Sequence, residues 1–72
     1  MIIRGEIWTT AREDGVLTDR QLQVLELREL HGCTWNQIAY MTDLDQATVR
    51  GHYRRAQRRL LLVLESRQQE AV

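Results

Sequence analysis

Five arginines stand within ten residues of this chain, at Arg50, Arg54, Arg55, Arg58 and Arg59, with no acid among them. A guanidinium stays charged at any ordinary pH and offers its donors as a planar fork, so such a row suits phosphate oxygens or the acceptor edge of a base. The chemistry indicated is recognition of a polyanion, not bond making. Asp43 and Asp45 are close in sequence, but no histidine, lysine or third acid is arranged with them as a partner, so no enzyme is expected. Cys33, His31 and His52 do not form a set at zinc-binding spacing, so neither a metal nor a cofactor is expected.

Basic and acidic residues number 10 each, for a formal net charge of zero. That balance hides polarity. Residues 1–45 carry four arginines and eight acids, whereas residues 50–59 carry five arginines and no acid. One directed basic surface fits this better than general stickiness to polyanions. The bland alternative is a solvated helix face whose charge the acidic half balances. At 72 residues the chain is one small domain, burying about 60% of its unfolded surface, and the monomer should be marginal. The longest apolar run, Leu60 to Leu64, is far short of the roughly 20 residues that span a bilayer. Glu6 interrupts the opening stretch before a signal-peptide core can form. With one cysteine there is no internal disulfide, and the expected location is the cytoplasm, without a membrane partner.

A helix must hold the arginines in line. Val49, Tyr53, Ala56, Leu60 and Val63 recur at intervals of four and three, which puts them on one face and marks that face as core. The opposite side then displays Ala47, Arg50, Gly51, Arg54 and Arg58, flanked by Thr48, Arg55 and Arg59. Asp45 is the expected cap of this helix. Two earlier helices are announced by capping boxes, Thr18 with Gln21 and Thr34 with Gln37. The first is predicted from about Asp19 to Leu30, stopping at His31-Gly32. Its apolar residues, Leu22, Val24, Leu25, Leu27 and Leu30, are spread around the axis, so contacts on more than one side are expected. The second runs from Thr34 to about Met41, and Thr42, Asp43 and Leu44 separate it from the third.

Two short helices, a three-residue turn and a basic rod have the layout of a helix-turn-helix DNA reader. A major groove about 12 Å wide accepts one helix whose outer face is small near the bases and cationic beside the phosphates. Ala47 and Gly51 supply the small part. From Leu17 to Leu60 the wording "LT-R", "VLELR", "IA", "TVR" and "RAQRRL" resembles region 4 of bacterial sigma factors, and shares much with LuxR-type DNA-binding domains. The resemblance implies an all-α, tri- or tetra-helical helix-turn-helix bundle with a long C-terminal recognition helix in the major groove, and a second surface for RNA polymerase. It matches Ala39 to the small residue where the two helices cross and Val49 to the apolar residue that locks the reading helix. It also matches Gln46, Ala47 and Arg50 to base-facing positions, and Thr48, Arg54, Arg55 and Arg58 to positions that face or flank phosphate.

The expected base readers are Gln46, Ala47, Arg50 and Arg54. The expected phosphate contacts are Thr34, Trp35, Thr48, Arg55, Arg58 and Arg59. Trp35 stands where the family has tyrosine, and its simpler reading is a core aromatic; Cys33 reads as a small buried hydrophobe. Asp43 replaces the turn glycine, which is tolerable because aspartate visits the left-handed region more readily than most residues. Thr42 replaces an apolar residue, and Gly51-His52-Tyr53 replaces the family's Ser-Arg-Leu type.

The division expected is a 1–16 arm, a 17–60 helix-turn-helix domain and a 61–72 helix extension. A working sigma factor also needs a domain for promoter melting and core-enzyme binding, which sixteen leading residues do not supply, so a stand-alone regulator is expected. Past Arg59 the arginine side of the rod turns apolar. The arm, with Ile2, Ile3, Ile7 and Trp8, can fold back over the leucines there, or a second copy can cover them. A homodimer using both and spanning two half-sites is expected, with Ile3, Ile7, Trp8, Leu61, Leu62 and Leu64 as its contacts. The expectation is therefore a small dimeric repressor of double-stranded DNA. The competing expectation is a sigma-like module that docks on RNA polymerase or a sigma factor without reading DNA.

Overall fold

The computed structural model describes residues 5–70, with side chains through Arg67. Its four helices are α1 (Gly5–Ala11), α2 (Asp19–Glu29), α3 (Trp35–Thr42) and α4 (Gln46–Glu70). Both capping boxes form: the Thr18 hydroxyl accepts from the Gln21 amide at 3.1 Å, and the Thr34 hydroxyl accepts from the Gln37 amide at 3.1 Å. Each glutamine side chain returns to accept from the threonine amide, so open donors of the first turn are satisfied. α2 stops one residue earlier than expected, with Leu30 as its cap, and Gly32 turns left-handed at φ 65°. Among the described residues no helix is long and apolar enough to cross a membrane.

The turn between α3 and α4 is made by Asp43 in the left-handed conformation, φ 57°. Its amide and that of Leu44 donate back into the last turn of α3, which closes the helix as a glycine cap would. Thr42, in place of an apolar residue, is buried because its hydroxyl donates to the Ile38 carbonyl at 2.7 Å. The Asp45 carboxylate accepts from the Thr48 amide at 2.7 Å and starts α4.

Two clusters make the core. Val24, Ile38 and Val49 join α2, α3 and α4; Trp8, Ala11, Leu25, Ala56 and Leu60 join α1, α2 and α4. Adjacent residues of α2, Val24 and Leu25, therefore face different clusters, which is why its apolar residues form no narrow stripe. Tyr53 packs against both clusters.

The arm is the part whose structure local spacing leaves open. Residues Gly5–Ala11 form a helix that no capping signal announces, and it packs on α4. Trp8, expected at a dimer interface, is 6% exposed within its own chain, packed with Leu25, Ala56 and Leu60. Ile7 packs against the same cluster. A ring that buries some 150–250 Å² finds its cover most readily in its own small core. The arm thus covers Ala56 and Leu60, leaving Leu61 and Leu62 exposed. Leu64 is half-buried. Ile2 and Ile3 lie outside the described residues.

Candidate nucleic-acid interface

α4 divides lengthwise. Val49, Ala56 and Leu60 are buried, while Gln46, Ala47, Thr48, Arg50, Arg54, Arg55, Arg58 and Arg59 are exposed on the remaining surface. Among the described residues, no carboxylate pairs with any of these five arginines, and three acids of the first half are engaged elsewhere. Glu26 takes Arg12 at 3.0 Å, Glu13 takes Arg67, and Glu29 accepts from the Tyr53 hydroxyl. Burial first, then the hydrogen bond and charge of Glu29, push the Tyr53 phenol up to about 12. This contact faces the core side of α4, so it fixes the roll of the rod without using its cations. Arg59 is the exception to the outward row, since its Nε donates to the Val16 carbonyl at 3.4 Å.

The first turns of α3 and α4 are brought together. The Gln46 side-chain Nε2 donates to Asn36 Oδ1 at 3.3 Å, which holds one expected base reader against the scaffold helix. Thr34 uses its hydroxyl oxygen and its amide in the capping box, which leaves the hydroxyl proton for an outside acceptor. Thr48 stays exposed but is engaged in the cap of α4. Its amide, followed by its hydroxyl, holds the Asp45 carboxylate below the usual carboxylate range.

Trp35 is half-buried and meets the Tyr53 ring edge-on, with centroids 5.1 Å apart. Two guanidiniums lie over it, Arg28 at 4.3 Å and Arg50 at 5.9 Å. Arg28 also donates to the Cys33 carbonyl at 3.0 Å, so its charge is fixed beside the start of α3. Trp35, Arg50, Tyr53, Arg54 and Gln57 line one shallow cleft. Sequence reasoning missed Arg28 and Asn36. Arg28 lies in α2, and only folding brings it across to Trp35; Asn36 lies in α3, and its partner on α4 was not foreseeable from spacing.

Gly51 lies in the arginine half of the rod, and a Cβ built there meets only the Arg55 guanidinium, at 3.6 Å or more. Nothing inside the fold therefore requires glycine, although glycine in a helix interior costs about 1 kcal/mol relative to alanine. Farther along, Leu61 falls two turns below Arg54 and Leu62 two turns below Arg55, so the exposed leucines continue the arginine side. Gly51, Arg54, Arg58, Leu61, Leu62 and Glu65 all border one open groove along this side.

No curated protein and no solved structure gives a match to the chain. A family match does exist: the description "Sigma-70, region 4" fits residues 15–61, from the loop before α2 to the middle of α4. That span contains both capping boxes, the left-handed turn at Asp43 and all five arginines of the rod. The chain belongs to the sigma-70 region 4 family, a helix-turn-helix DNA-binding region.

Proposed function

We propose that the chain is a sequence-specific regulator that reads double-stranded DNA by laying the first half of α4 in the major groove. Gln46, Ala47, Arg50 and Arg54 face the bases, and Thr34, Trp35, Arg55 and Arg58 hold the phosphates, joined by Arg28. Thr48 and Arg59 are weaker candidates, given their contacts to Asp45 and Val16. One observation carries this reading. A row of guanidiniums without carboxylate partners stands on the exposed side of a helix whose other side is locked into the core. Such a row is costly to keep together unless an external anion neutralises it. Repression is the action favoured, because occupying a promoter needs no further surface.

Three arginine–phosphate contacts, from Arg28, Arg55 and Arg58, predict a log-log salt slope of about −2.7 for duplex binding. Selection from random duplexes should return one preferred sequence. A flat salt response with no preferred sequence would favour the second reading, docking on RNA polymerase or a sigma factor. What speaks for that reading is the apolar surface of α3, where Tyr40 is 90% and Met41 50% exposed. Self-association also belongs to the proposal, since Leu61 and Leu62 lack a cover. They share a side with Arg54 and Arg58, so a pair joined through them turns its reading surfaces toward each other. A single copy is therefore the proposed reading unit on DNA, in place of the pair spanning two half-sites.

A further inference from the structure

The side of α4 beyond the reading segment has a symmetry of its own. Arg58 lies three residues before Leu61, and Glu65 lies three residues after Leu62. Both charged residues are exposed, and neither has an ion-pair partner among the described residues. They are two turns apart, about 10 Å along the axis, too far to pair with each other in one chain. Between them, Leu61 and Leu62 stand 50% and 54% exposed. This is an apolar centre flanked by opposite charges at equal distances.

We propose that α4 pairs with α4 of a second copy, antiparallel, about a twofold axis passing between Leu61 and Leu62, and that this pairing and duplex binding exclude each other. The exclusion rests on the DNA reading above; the pairing does not. In a twofold contact, residue i meets j while j meets i. With the axis at the leucine step, Arg58 meets the partner's Glu65, and Glu65 meets the partner's Arg58, around four central leucines. A parallel pair would instead set arginine against arginine and glutamate against glutamate, so the charge order selects the antiparallel arrangement.

The fold leaves room for it. The buried stripe of Val49, Ala56 and Leu60 is on the far side of α4, so both bundles stay outside while the two rods pack at about 8–10 Å. Arg54, Arg55 and Arg58 are then turned toward the partner rod, and a duplex cannot reach the same face. The free protein thus covers the Arg54-to-Arg58 part of its reading surface with the partner rod, Arg58 being neutralised by Glu65, and DNA draws it out as single copies.

Sedimentation equilibrium of the full chain over a concentration series tests the pairing, with circular dichroism confirming that each variant keeps its helix content. The wild type should move from monomer toward dimer mass. Glu65→Arg and Arg58→Glu should each weaken association by about tenfold or more, and the double charge reversal should restore it. Leu61→Asp, at a half-exposed position, disrupts the contact independently of the charges. A wild type that stays monomeric, single variants that associate like it, or a double reversal without rescue would overturn the pairing. Adding a random-sequence duplex should lower the dimer fraction in step with complex formation. A dimer that binds duplex intact would overturn the exclusion. Glu65→Arg separates the two ideas: if this monomeric variant binds no duplex, the DNA reading and the exclusion fail together, while pairing read by mass stands.

Discussion

Gly51→Ala tests the reading surface most directly, because one methyl group should act with opposite signs in the free protein and on DNA. In the free protein the new Cβ meets the Arg55 guanidinium at 3.6–3.8 Å, an ordinary contact with a flexible side-chain end. Nothing opposes the gain in helix propensity, which is about 1 kcal/mol. For a domain of this size that raises the unfolding midpoint by about 4–8 °C. On DNA the methyl enters the gap between α4 and the groove. Overfilling a packed contact typically costs about 1–3 kcal/mol, which is roughly a 5- to 150-fold loss of affinity. Thermal unfolding followed by circular dichroism gives the first quantity. Anisotropy titration of a labelled duplex at fixed salt, with protein dilute enough to stay monomeric, gives the second. A stabilised variant that binds the duplex as well as the wild type would show that no duplex approaches Gly51. A destabilised variant would refute the account of the free state.

Arg50→Ala should cost about 1–3 kcal/mol in duplex binding and relax preference at one base position, whereas Arg58→Ala should weaken all sequences alike; competition titrations against single-base variants distinguish them. Trp8→Ala should destabilise the fold by about 3–5 kcal/mol, and its unfolding midpoint should fall by the same amount at every protein concentration; a concentration-dependent loss would return Trp8 to a contact between copies. In a Tyr40→Phe background the remaining phenol, Tyr53, should titrate at about 12 by absorbance. Because folding raises it from the ordinary 10.0, its contribution to stability is complete below pH 10 and disappears between there and about pH 12. Titration of that phenol near 10 would mean that its contact with Glu29 does not persist in solution.

Three of the four helices were legible because their signals are local. A capping box needs four consecutive residues, and the stripe from Val49 to Val63 needs only helical spacing. Asp43 could be assigned to the turn because its own backbone preference decides the matter. The arginine surface followed, since the side opposite a core stripe faces outward. α1 carries no such local signal. Seven residues with two adjacent threonines do not make a stable helix alone. It exists because Trp8 and Ala11 bury against Leu25, Ala56 and Leu60, and because Arg67, far along the chain, donates to Thr10 at 3.0 Å and pairs with Glu13.

The sequence by itself determined the element order from α2 onward, the turn chemistry and the side of α4 that carries the charge, all of which depend on residues within a few positions of one another. Tertiary structure alone decided that the arm belongs to the core and that Arg28 reaches Trp35. It alone decided that Asn36 holds Gln46, and that Glu13, Glu26 and Glu29 are engaged away from the arginine row. Each of those outcomes depends on which distant side chains the packed helices bring within a few ångströms, a distance that sequence spacing does not encode.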